Sequence, residues 1–159
     1  MNTHCRKGRT VKSLFNASDN KEIIDRIYSL TAVTKAEWGK MDVAQMLAHA
    51  GVPLRTAFGE LKLRRSLMGV LFGGIAKRMI ISGEPFKKNS PTAREFVVTG
   101  KRNFEEEKKS LIALVHRFSD LGPTALTKEP HPFFGKMNSN EWDLLMWKHL
   151  DHHLRQFGA

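Results

Sequence analysis

Residues 142–159 read WDLLMWKHLDHHLRQFGA, and their spacing decides the fold class. Trp142, Leu145, Met146, His149, Leu150, His153, Gln156 and Phe157 recur at three- and four-residue intervals and fall in one continuous arc of a helix. His152 falls just outside that arc, toward Lys148 and Arg155 at the edge of the charged face. A helix that starts near Asn138 or Ser139 and runs almost to the C-terminus is predicted.

Four other stretches carry helical spacing. The first runs from about Asn20 to Leu30, capped by Ser18 or Asp19, with Ile23, Ile24, Ile27 and Tyr28 as its stripe. The second begins at Asp42 with Gln45 three residues on, a capping-box start, and repeats Val43, Met46, Leu47, Ala50, Leu54 and Ala57. Pro53 inside it has no N–H for the carbonyl of His49, so a kink near His49 is expected. The third is SLMGVLFGGIAKRMII, Ser66–Ile81, loosened by Gly69, Gly73 and Gly74 and expected to be buried or half-buried. The fourth covers about Asn103–Phe118, with Phe104, Leu111, Leu114, Val115 and Phe118 inward. An irregular connection precedes it, broken by Pro85, Pro91 and Gly100, in which Phe96–Val98 is expected to be extended. Almost nothing alternates like a strand, and an all-α bundle follows.

At 159 residues the chain fits one domain with a core of its own. Residues 1–15 are expected to form a basic, flexible tail holding His4 and Cys5, and residues 16–159 a single helical domain. The single cysteine cannot form an internal disulfide, which favours a reducing, cytoplasmic compartment. The first residues lack the apolar run of a secretory signal. Ser66–Ile81 contains Lys77 and Arg78 and falls short of the roughly 18 to 20 apolar residues of a membrane span. Stable insertion is therefore not expected, although the segment's cationic flank, Leu61–Arg65, suits a membrane surface or a partner. The net charge of +10 favours anions. Clusters such as Lys62–Arg65, Lys87–Lys88 and Lys108–Lys109 lack the aromatics or motifs of a nucleic-acid reader, so they read as solvated surface.

Of seven histidines, His149 and His153 are the informative pair. Residues i and i+4 lie about 40° apart around a helix, one turn above each other, so both imidazoles project from one face. Two adjacent inward imidazoles either stay neutral in a hydrogen-bonded core or share a cation, because two buried positive charges repel. A metal site needs a third ligand, and His49 is the candidate. The apolar stripe of its helix centres about 110° away, which leaves His49 open between ligand and surface. His116 is read as facing solvent beside Arg117, and His131 as bracing the HPFFG turn or contributing to a pocket.

Three segments, EWGKMDVAQMLAHA (Glu37–Ala50), HPFFGKM (His131–Met137) and EWDLLMWKHLDHHLRQFG (Glu141–Gly158), together resemble the DinB-like, YfiT-type superfamily, specifically a branch of uncharacterised bacterial proteins. The resemblance implies a four-helix bundle with nickel or zinc bound by one histidine of the second helix and an HxxxH pair on the last. His49, His149 and His153 match those positions, and His152 and Gln156 match the family's adjacent histidine and its later glutamine, expected to support the ligands. Many relatives place arginine directly after the double histidine, whereas Leu154 intervenes here before Arg155, so that arginine's role does not carry over. Trp38, His131, Trp142 and Met146 are expected to wall the pocket. Characterised members include transferases and isomerases that use a low-molecular-weight thiol.

Three neutral imidazoles leave a coordination position open, where water or a thiol would be activated. Cys5 is the only thiol and lies in the tail, so chemistry is expected to run through the metal. A thiol-dependent transferase acting on a small molecule is the leading expectation. A metal-dependent hydrolase would need a carboxylate base that the last helix does not offer, since Asp143 and Asp151 point away from its inward arc. A third class is a non-catalytic basic module binding nucleic acid or protein, with the metal as a staple. The expected partners are a small-molecule substrate and, as an option, a second copy of the chain. The glycine-loosened segment 66–81 is the candidate wall beside the site.

Overall fold

Helix starts in this chain are set by side chains that accept from the first free backbone N–H groups. In the computed structural model, which describes residues 12–82, 84–90, 92 and 94–159, Asn16 caps α1 (Ala17–Ser29) by accepting from Ser18 N and Asp19 N. Asp42 and Gln45 form the full capping box of α2 (Val43–Ala57), and Ser66 caps α3 (Leu67–Ile81). Asn103 caps α4 (Phe104–Leu121), and Asn138 with Glu141 closes a second capping box on α5 (Ser139–Gln156). Two short 3₁₀ turns, Arg94–Phe96 and Pro123–Ala125, complete the elements, and no strand occurs among the described residues. The chain is all-helical, with five α-helices described.

Helices α1 and α2 each pack on both α4 and α5, so these four close a ring around one core. Ile23, Ile27, Met46, Leu47, Leu54, Leu111, Phe118, Trp142, Met146 and Leu150 fill it. Burial of each large apolar side chain contributes about 1.5–3 kcal/mol, and these inward stripes follow the sequence spacing. Helix α3 packs on α5 alone among the helices.

Several expectations need correction. The first helix begins at Ala17, three residues early, because Asn16 rather than Ser18 or Asp19 is the cap; Asn20 is instead buried, its amide donating to Leu14 O and Val115 O. Tyr28 lies off the stripe and is exposed. The packed domain also starts before residue 16. Leu14 is fully buried with its N–H donated to Asp143 at 2.7 Å, and Phe15 stacks on Phe118. Residues 1–11, with His4 and Cys5, lie outside the described residues, as does Pro91. Phe96 is not extended: it ends the 3₁₀ turn Arg94–Phe96, its carbonyl is taken by the His49 side chain, and no strand occurs among the described residues to pair with 96–98.

The largest departure is α3. Only Gly69, Gly73 and Ile80 face inward, while Leu67, Met68, Leu71, Phe72, Ile75 and Met79 are exposed. The seat explains the inversion. A Cβ on Gly69 would come 2.7 Å from the Phe133 backbone, and one on Gly73 would overlap the Phe133 carbonyl oxygen. The glycine stripe therefore lets the helix lie directly on the HPFFG turn, itself closed by His131–Gly135 backbone bonds. Ser66 N donates to Pro132 O, Lys77 Nζ to Lys136 O and Lys148 Nζ to Ile80 O, which pins both ends. Gly74 has nothing near its missing side chain.

The two glycines should respond oppositely to one methyl group. Gly73→Ala is expected to destabilise the protein by about 1–3 kcal/mol through overpacking, whereas Gly74→Ala should stabilise it by about 0.5–1 kcal/mol through helix propensity. Chemical denaturation of both variants checks this, and equal effects would refute the seat.

Candidate metal centre

The capping boxes of α2 and α5 fix where each helix begins, and so which way its inward residues point. His49 of α2 is thereby turned toward α5, where His149 and His153 lie one turn apart. The three ring centroids are 4.6–5.0 Å apart, and one nitrogen of each ring lies within 4.8 Å of the others. His49 and His153 are buried and His149 is half-buried.

The tautomers follow from the neighbours. His49 Nδ1 lies 2.7 Å from the carbonyl oxygen of Phe96, which can only accept, so Nδ1 carries the proton and Nε2 keeps its lone pair. Gln156 Nε2 donates to the Trp38 carbonyl at 2.7 Å, which turns the amide oxygen toward His153 Nδ1 at 2.8 Å. His153 Nδ1 therefore donates, and its Nε2 is also free as a lone pair. This pairing of a ring N–H with a carbonyl is how metal-binding histidines are usually oriented.

His149 completes the set. Its Nε2 is 3.2 Å from His49 Nε2, and its buried Nδ1 has no hydrogen-bond partner among the described residues. If His149 Nε2 donates to His49, Nδ1 is left as a buried acceptor with nothing to accept. If Nδ1 holds the proton, two lone pairs face each other. A tetrahedral ion with bonds of about 2.0–2.1 Å holds two nitrogens about 3.3 Å apart, so the observed separation fits one cation shared between them. The donor set passes the test of fit: three buried or half-buried histidines can hold a metal ion.

Burial keeps these rings neutral, the form that binds metal. It lowers His49, against a raising bond to Phe96, and pushes His149 well down, with His153 and His49 adding to the effect. His153 falls to about 3, by burial first and the neighbouring His49 second, opposed by Gln156.

Around the histidines lies a cavity of about 660 Å³, walled by Phe86, Phe96, Phe133, Phe134, Leu145 and the first turn of α3. His131 is buried on this wall, its Nδ1 accepting from Phe133 N and Phe134 N; burial lowers its pKa to about 4. His152 lines the cavity between the rings of Trp38 and Phe86. Of the other residues expected at the pocket, Trp142 and Met146 sit in the core behind it, with Trp142 5.2 Å from His131. Trp38 is half-buried beneath Lys88 and reaches the site only through its carbonyl and its contact with His152. His116 is exposed on α4.

Residues 11–159 match a family model described as Protein of unknown function (DUF1569). The chain belongs to that family. No curated protein and no solved structure matches it. The match spans all five helices of this DUF1569 chain, the three clustered histidines and the HPFFG turn.

Sequence reading missed two supports of the site. Nothing in hydropathy marks the Phe96 carbonyl as the partner of His49. The link from Gln156 to Trp38 leaves one trace, Gly39, which has φ +87° and whose absent Cβ would collide with the Gln156 amide nitrogen. Arg94 and Glu95, on the 3₁₀ turn, also line the cavity and were not singled out.

The neutral histidines tie stability to pH. His131 has a folded pKa of about 4, below the unfolded value of 6.5. The unfolded chain thus binds more protons in acid, and the stabilisation is full above pH ~6.5 and lost as pH falls toward ~4. The melting temperature of the metal-free DUF1569 chain should fall over that interval, and His131→Phe should flatten the slope while lowering the value at neutral pH. An unchanged slope in the variant would refute this assignment.

Proposed function

We propose that this DUF1569 chain is a DinB-like four-helix bundle of the bacterial cytoplasm that binds one nickel or zinc ion through His49, His149 and His153. On this reading it is a metal-dependent S-transferase that joins a low-molecular-weight thiol to a small electrophile. The ring made by α1, α2, α4 and α5 supports the bundle, and the 3.2 Å pair of Nε2 atoms opening on a cavity carries the proposal. A divalent ion held there supplies Lewis acidity and lowers the pKa of a thiol or water that binds it.

The chain's own groups fit this role. All three nitrogen donors are neutral, so they leave the ion's charge uncompensated and favour an anionic thiolate beside it. Phe86, Phe133 and Phe134 give the cavity an apolar wall that suits a small organic electrophile. The thiol is taken to be a low-molecular-weight one from solution, as the resemblance to thiol-dependent transferases implies.

One observation favours a second reading. Glu95 lines the cavity and offers the carboxylate base that α5 does not, as a metal-dependent hydrolase would need. Its substitution Glu95→Gln separates the two: a hydrolase loses most of its turnover, while thiol transfer is largely retained.

Elemental analysis of the purified protein should find close to one nickel or zinc per chain. His49→Ala, His149→Ala and His153→Ala should each remove it, while His152→Ala retains it. Gln156→Leu should weaken affinity about 10- to 100-fold by freeing the His153 ring. In a cobalt-substituted sample, small thiols should shift the d–d spectrum. Full metal occupancy in the His149 and His153 variants would end the proposal, and a spectrum indifferent to thiol would end its transferase part.

A further inference from the structure

Apart from Met68, the outward face of α3 does not line the cavity of the candidate metal centre. Leu67, Met68, Leu71, Phe72, Ile75 and Met79 are all about half exposed or more. They spread over the side of the helix opposite the Gly69–Gly73 seat, at 100° per residue. A helix apolar all round is normally covered on every side, and a contiguous exposed patch of this kind marks an interaction surface. No helix of the described residues is long and apolar enough to cross a membrane.

Charge chooses the occupant. Between residues 61 and 82 the chain carries Lys62, Arg64, Arg65, Lys77 and Arg78 and no acidic residue. Lys62, Arg64, Arg65 and Arg78 are exposed, and Arg78 stands within the apolar arc in the helix's last turn. A second copy packed on this face would bring the same cations against their own images across the two-fold axis, with no carboxylate from the segment to pair them. Nucleic acid would meet the cations but gain nothing from the leucines. A bilayer bearing anionic lipids satisfies both halves, since apolar side chains enter the acyl boundary while long cationic ones reach up to the phosphates.

We propose that α3 docks the protein flat on an anionic membrane surface, with Leu71 and Ile75 entering the bilayer and Arg64 and Arg78 engaging lipid headgroups. The seat on the HPFFG turn holds the helix to the body of the protein, so the whole chain is brought to the surface. The docking helix also lines the cavity through Ser66 and Met68.

The test is co-sedimentation of the full chain with phosphatidylcholine vesicles that contain or lack phosphatidylserine. Binding is expected only to the anionic vesicles and should weaken as salt rises. Leu71→Glu/Ile75→Glu should reduce it by more than about tenfold, and Arg64→Gln or Arg78→Gln by about fivefold each. Both positions of the double variant are exposed, and an unchanged thermal melt and sedimentation coefficient would confirm that the variant stays folded. Failure to bind anionic vesicles would overturn the proposal, as would full binding by the double variant. A dimer that the double variant converts to monomer would overturn it in favour of a second copy, and salt-sensitive retention on nucleic acid alone would do so in favour of that ligand. His149→Ala should bind vesicles as the parent does, so failure of the metal proposal leaves this result intact.

Discussion

Two imidazole nitrogens facing each other at 3.2 Å are the constraint on which the rest of the site depends. The contact requires α2 and α5 to be adjacent, which the ring of α1, α4, α2 and α5 provides. It is incompatible with both rings being protonated, and burial favours the neutral form of each. Neutral rings in turn need their other nitrogens settled. The Phe96 carbonyl settles His49, and the Gln156–Trp38 link settles His153. Gln156 supports His153 from the same helix, whereas the Phe96 and Trp38 carbonyls come from the connections before α4 and α2, distant in sequence.

The sequence made the helices legible because capping chemistry and apolar spacing agree. Asp42 with Gln45 and Asn138 with Glu141 start helices whose inward residues all point to one core. The pairing of His149 with His153 was legible for the same reason, since both lie on the apolar arc. His49 was not settled by periodicity, because a residue at the margin of a stripe faces whatever its neighbour brings. Here that neighbour is α5, whose identity depends on packing between segments a hundred residues apart.

The helix α3 was misread for a definite physical reason. Hydropathy assigns the inward face to the largest apolar side chains, but a helix can also bury its smallest residues when backbone approaches backbone. Gly69 and Gly73 do this against Phe133, and the leucines and isoleucine are left outside. The start of the domain was misread in a similar way. Leu14 and Phe15 follow a basic stretch and lack periodicity of their own, yet one is sealed by Asp143 and the other stacks on Phe118. Short apolar pairs beside a charged stretch carry too little pattern for a single sequence to place.

The HPFFG turn joins these strands of argument. Its His131 accepts two backbone N–H groups of its own turn and stacks on Phe96, whose carbonyl orients His49. Its Phe133 backbone is the floor on which the glycines of α3 rest. The exposed apolar helix and the histidine cluster thus meet at one five-residue turn, and Met68 of that helix also lines the histidine cavity. Backbone packing this close leaves no room for a side chain between α3 and the turn, which is why glycines rather than leucines face it.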